Sequence, residues 1–235
     1  MAEAPERAIG AITSSVFRAL STARGKRIFH PHGVGFTGLL VPTGDMGAEI
    51  LRGPARGVIV RLSRSLGLPE SMPDPCGLAL RVPNAYGPGL HQDLLMVSSG
   101  SGRILRHLLL PAQGFLDRPY STLLPYRLKQ HLVLIGARGT TEPGGPGPRL
   151  AVLRGREDAR LQFDLTVATL GGAWRQAARL DVGERLDDER VEGLDLNPKN
   201  CGGGLELAGP INRFRVPAYR GSQRGRGLAR ERPFG

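Results

Sequence analysis

The chain has 235 residues, 40% of them hydrophobic and 23% charged, with 32 Lys and Arg against 21 Asp and Glu for a net charge of +11. That length and balance belong to one large globular domain with a sizeable core. Two widely separated cysteines, Cys76 and Cys201, with no CxxC pair, suit a reducing compartment and do not suggest a disulfide framework, and no apolar run reaches membrane-spanning length.

Positive charge attracts polyanions, but only 5% of residues are aromatic and neither basic-aromatic interleaving nor zinc-finger spacing occurs. No nucleic-acid partner is expected. A small dianion is the other candidate for the basic excess, and a plain basic surface is the third. The start of the chain, Met-Ala-Glu-Ala-Pro-Glu-Arg, is polar and has no signal-peptide apolar region, which predicts a cytoplasmic protein.

Residues 5–23 carry Ile9, Ile12, Val16 and Leu20 at helical spacing, which predicts an amphipathic helix and an arm over residues 1–25. The texture then changes. Residues 33–42, 57–64, 77–83, 93–99, 131–138, 149–154, 161–170 and 173–182 read as strands separated by turn residues, consistent with 34 Gly and 19 Pro. Eight short strands predict a mainly β (α+β) fold, an antiparallel barrel or sandwich. Residues 141–148 read as a flexible connection, 183–193 as a short helix or loop, and 197–209 as Gly-rich and irregular. A second helix is expected over residues 211–224, followed by a basic tail over 225–235. The stretch between residues 100 and 160 yields no register.

On that last helix Arg215 and Tyr219 share a face at i and i+4. A guanidinium beside a phenol favours the phenolate, a hard donor that suits ferric iron. A solvated basic helix gives the same pattern. Near the other end, His30 precedes Gly33 and Gly35, whose lack of side chain permits close approach of something flat. His32 is its rival as an acid–base group. In Val60-Arg61-Leu62-Ser63 the arginine and serine alternate with apolar residues and share one strand face. An inward arginine there requires an anion, unless that face is the wet one. His91, His107 and His131 show no ligand spacing and read as surface or structural groups. Cys76 and Cys201 read as small buried residues, and Trp174 as core or interface.

His30-Pro-His-Gly-Val-Gly-Phe-Thr-Gly38 resembles the distal histidine segment of haem catalases, with Arg27 three residues ahead of it. Val60-Arg-Leu-Ser63, Asp74-Pro-Cys-Gly-Leu-Ala-Leu80, Asp93-Leu-Leu95, and Leu196-Asn-Pro-Lys-Asn200 through Gly204-Leu-Glu206 resemble further catalase motifs, in order. Arg215-x-x-x-Tyr219 then falls where the family keeps its proximal ligand. Gln223 replaces a histidine, while Arg224 and Arg226 match two arginines beyond the ligand.

The resemblance implies an eight-stranded catalase-like barrel over residues 26–224 with a proximal helix, a barrel-only architecture like small catalase-related peroxidases and allene oxide synthase domains. It implies ferric haem b with Tyr219 on the iron, Arg215 beside it, and Arg27, Arg61 and Arg226 on the propionates, with Arg224 nearby. His30 would be the distal acid–base, oriented by Ser63. The family's distal asparagine is missing, and Ser98 or Ser99 is its expected stand-in. That departure favours a peroxidase using an organic reductant over a true catalase. Hydroperoxide rearrangement and a non-catalytic haem-binding or peroxide-sensing role stay open. Phe115 and Tyr120 are candidates for the haem edge. The family's habit also implies a homo-oligomer, a dimer or tetramer.

Overall fold

A computed structural model describes residues 32–43, 51–140 and 145–208. The predicted N-terminal arm, the helix over residues 211–224 and the basic tail lie outside the described residues.

Ten strands follow one another: β1 (His32–Pro42), β2 (Arg56–Arg64), β3 (Cys76–Val82), β4 (Gln92–Ser98), β5 (Tyr120–Ser121), β6 (Tyr126–Leu128), β7 (His131–Gly139), β8 (Asp158–Thr169), β9 (Arg175–Arg185) and β10 (Leu205–Leu207). Three short helices intervene, α1 (Gly102–Leu105), α2 (Leu150–Arg154) and α3 (Asp188–Glu192). All strand pairs are antiparallel. Eight strands run in the order β7-β5-β4-β3-β2-β1-β9-β8, and β8 pairs back onto β7, closing a barrel. β6 pairs with the start of β7 and β10 with β6, forming a flap on the wall.

Alternation decides which side chains enter the barrel. Phe36 and Leu40 of β1, Val60 and Leu62 of β2, Leu78 and Leu80 of β3, Leu94 and Met96 of β4, and Leu161, Phe163 and Leu165 of β8 all point inward and are buried in one cluster. An eight-stranded barrel is just wide enough for side chains to fill. Here Tyr120 and Phe163 meet edge to face at 5.9 Å between centroids inside it.

Seven of the eight predicted strands are present, within a few residues at each end. Residues 149–154 are a helix instead. Leu150 and Leu153 are its buried residues, three apart, while Val152 between them is exposed. That spacing fits a helical turn and not a pleat. The eighth barrel strand is β5, two residues long and too short to leave a periodic signal. β9 runs on to Arg185, so the predicted helix or loop over 183–193 becomes a strand end followed by α3. The irregular segment over 197–209 includes β10.

Replacing Phe163, fully buried, with Ala should cost about 3–5 kcal/mol through lost burial and a residual cavity. Replacing Leu39, 44% exposed on the outer face of β1, with Ser should change stability by no more than about 0.5 kcal/mol. Urea denaturation of both variants checks the assignment of the two faces.

Candidate functional site

Because the barrel interior is packed with side chains, a ligand of any size must lie outside the wall. Cross-strand register defines one outer row: Gly33 opposite Ser63, Ser63 opposite Gly77, Gly77 opposite Val97, Val97 opposite Ser121, and Ser121 opposite Gly136. The next row holds Gly35, Arg61, Ala79 and Leu95. The first row is poor in side-chain bulk, and Ser63 is buried although it faces away from the barrel core.

Arg61 and Ser63 thus share the outer face of β2, two residues apart, as the sequence pattern predicts. Arg61 lies across Gly33: a Cβ added there would sit 2.6 Å from its guanidinium carbon. Gly35 is bounded differently, since a Cβ there would meet Val191 of α3 at 2.3 Å. Glycine at 33 and 35 therefore allows an arginine and a helix to press onto the wall. Arg27, His30, Arg215, Tyr219, Arg224 and Arg226 lie outside the described residues, as does the side chain of His32, the first residue of β1.

Ser98 is not brought to this face. It pairs with Tyr120 and points to the same side as Met96, into the barrel end. Its hydroxyl donates to the Leu110 carbonyl at 2.6 Å and accepts from the Cys76 N–H at 2.9 Å. Both capacities serve the fold. Ser99, the next residue, is also buried, and its hydroxyl donates to the Pro119 carbonyl at 3.4 Å. Phe115 and Tyr120 sit in the core, with the Tyr120 hydroxyl donating to the Phe115 carbonyl at 2.9 Å. Burial pushes the Tyr120 phenol well above its ordinary value.

A cluster that sequence reasoning missed centres on Asp93, fully buried on the outer side of β4. Arg81 donates to both its oxygens, from Nε at 2.7 Å and Nη2 at 2.6 Å. The Asn197 N–H and the Asn200 side-chain amide each donate to it at 2.8 Å, and Arg81 also donates to the Asp195 carbonyl. This explains Asn197-Pro198-Lys199-Asn200: the segment is pinned to the wall through one carboxylate. The clue was available in the pairing of Arg81 with Asp93 across a β3–β4 hairpin, which opposed charges favour.

Asp74 plays a similar part at the barrel end, accepting from the Leu66 and Leu68 N–H groups at 2.9 and 3.0 Å. Cys76 and Cys201 are free thiols. Burial is the main cause that pushes Cys76 up to about 12; the Arg64 guanidinium opposes it, and Asp74, Asp117 and Glu70 each add a smaller upward push. Cys201, half-buried, is raised chiefly by burial. Neither is a nucleophile near neutral pH. His91 accepts the Asn84 N–H at Nδ1 and His131 is exposed. His107 is buried, with Nδ1 at 3.1 Å from the Leu123 carbonyl and no partner at Nε2. Burial lowers its pKa; Arg106 adds to that and the Leu123 carbonyl opposes it. Among the described residues no three His, Cys, Asp or Glu converge as metal ligands.

The chain matches no protein-family model and no curated protein.

Replacing Asp93 with Ala should destabilise the fold by about 3–5 kcal/mol, since it leaves the buried Arg81 cation and the Asn200 amide without their acceptor. Thermal unfolding measures this. A second expectation follows from Cys76 and Tyr120, whose folded pKa values are raised. Their contribution is intact below the unfolded thiol and phenol values. It is lost as pH rises, for Cys76 from about 9 to about 12. The urea midpoint should fall over that range, and by less in Cys76→Ala.

Proposed function

We propose that the chain is a haem-dependent oxidoreductase acting on hydrogen peroxide or organic hydroperoxides, with Tyr219 as the iron ligand and His30 as the distal acid–base. The observation that supports the reading most is the juxtaposition of Arg61 and Ser63 on one outer face, over Gly33, three residues after His30. A catalase-type site needs these features together: a cation for a propionate, a hydroxyl for a histidine, and a wall without bulk. The described residues fit a flat dianionic group. Gly77 and Ala79 carry little side-chain bulk, and Arg61, lying across Gly33, brings positive charge to the same rows.

Haem, when bound, supplies the electrons that break a peroxide O–O bond. The remaining work falls to the chain. Arg27, Arg61 and Arg226 hold the propionates through charge-assisted hydrogen bonds, and Arg224 adds positive charge near them. Arg215 favours the phenolate of Tyr219, whose ordinary pKa is about 10. Ser63 fixes the ring orientation of His30. His30 removes the proton from one peroxide oxygen and delivers it to the other as it departs. Ser98 has no place in this scheme, because its hydroxyl is engaged inside the barrel. With no asparagine to orient a second peroxide, an organic reductant is the favoured electron donor and catalase turnover is weak.

After haem reconstitution the purified chain should show a Soret band and ferric-tyrosinate absorption, and Tyr219→Phe should lose the latter. No Soret band in the wild-type chain defeats the proposal. His30→Ala should keep the Soret band and react with peroxide about 10²–10⁴-fold more slowly. An unchanged rate moves the acid–base role away from His30. Full loading without turnover on hydrogen peroxide or a lipid hydroperoxide, with any donor, marks a carrier or sensor instead.

A further inference from the structure

The head of the loop between β4 and β5 is turned inside out. The loop folds back over the outer wall, its base closed by the Ser99–Leu109 bridge and by the Leu110 N–H donating to the Ser98 carbonyl at 2.9 Å. α1 stands at its head and buries none of its residues, and Ile104 and Leu105 are 62% and 48% exposed. The residues turned to the wall are the next two, Arg106 and His107, at 2% and 5% exposed. Two side-chain hydrogen bonds tie them down. Arg106 Nη2 donates to the Gly172 carbonyl at 3.0 Å, and His107 Nδ1 stands 3.1 Å from the Leu123 carbonyl. The Arg106 guanidinium carbon also lies 4.9 Å over the ring of Trp174.

We infer that residues 100–108 form a pH-sensitive cover over the outer wall at Trp174, held shut by a neutral His107 and released when that ring takes up a proton. The geometry sets the protonation state. A carbonyl only accepts, so Nδ1 carries the proton of the neutral ring and Nε2 the lone pair. Nε2 is buried and has no hydrogen-bond partner. A second proton there would bury an N–H without an acceptor and a second positive charge beside Arg106. Lifting the loop returns both cations to water. The closed loop therefore selects the neutral ring, while the open loop accepts either form. Because Ile104 and Leu105 are already exposed, lifting α1 surrenders little apolar burial and leaves the barrel folded.

No negative charge offsets the proton. Arg106 acts on the ring and Arg103 acts on Arg106, both of them positive. Ser121, Thr122, Leu123 and Leu124 on the facing segment carry no titratable group, nor do residues 170–174 of the turn between β8 and β9. Burial is the main cause that lowers the pKa of the ring; the Leu123 carbonyl opposes it, and Arg106 adds a smaller downward push. A depressed histidine value gives the sign. The closed loop keeps its full stability above the ordinary value of about 6.5 and loses it as pH falls below that. The cover lies apart from the site around Ser63. A Cβ at Gly136 would meet the Trp174 ring at 2.9 Å, and Gly136 is four strand steps from Ser63, through Gly77, Val97 and Ser121. The inference therefore stands whether or not haem occupies the first site.

Hydrogen exchange of the full-length protein tests the cover, read by mass spectrometry on peptides from residues 100–108 and from β8 and corrected for intrinsic rates. Between pH 7.5 and 5.5 the opening ratio of the loop should rise by up to about tenfold while β8 keeps its protection. His107→Asn retains a donor at the Nδ1 position and does not titrate, so its loop should change by less than about twofold over the same interval. A wild-type change under about twofold overturns the inference, and so does an equal rise in β8, which marks unfolding of the barrel. A rise in His107→Asn as large as in the wild type overturns it too. Should that variant fail to fold, titration of the His107 ring by NMR in the wild-type chain decides: a value below about 6.5 is expected, and one at or above it overturns the inference.

Discussion

Backbone pairing between Val133–Gly139 of β7 and Phe163–Thr169 of β8 is the constraint on which the rest of the structure depends. Without it the strands form an open sheet with two free edges. With it, eight strands close, the inner face is sealed from water and the inward residues can pack only against one another. The consequence reaches function directly. An interior filled by Phe36, Tyr120, Phe163 and the leucines around them has no room for a ligand. Any chemistry must be built on the outer wall, from residues that alternate with the core.

That wall is specialised along its length. Over β1 to β3 it is low at Gly77 and Ala79 beside Ser63, while Arg61 lies across Gly33 and Val191 of α3 packs onto Gly35. Beyond β5 it is covered by Trp174, with Arg106 above it. Between them the buried Asp93 carboxylate takes four hydrogen bonds from Arg81, Asn197 and Asn200. It anchors the segment around residue 197, which continues into β10 and the flap on the wall. A buried carboxylate with so many donors strongly favours one arrangement, because any displacement leaves several polar groups unsatisfied at once.

The sequence motifs differ in what the structure makes of them. Asp93-Leu-Leu95 and Asn197-Pro-Lys-Asn200 are far apart in the chain and meet through hydrogen bonds, so part of their pattern reflects support of the wall. Asp74-Pro-Cys76 is likewise structural: Asp74 ties down two loop N–H groups and Cys76 is a buried thiol held in its neutral form. Arg61 and Ser63 stand differently, on the face turned away from the core and next to glycines that a larger residue could not replace without displacing a neighbour. They are the described residues on which the proposed haem site rests.

Alternation of apolar and polar residues determined most strands from sequence alone, since a period of two is a local signal that survives without knowledge of partners. It also placed Arg61 and Ser63 on a common face. Three things waited for the tertiary structure. The two-residue β5 exists only because β4 and β7 hold it on either side. The helix over Leu150–Arg154 depends on which of its apolar residues find the core. The side of the wall to which Ser98 points was fixed by its pairing with Tyr120, and a one-residue step in register reverses a side chain's face. The pairing of Asp93 with Asn200 and the stacking of Arg106 on Trp174 are long-range contacts of the same kind. Sequence fixes which residues alternate, whereas only closure of the barrel decides which of them meet.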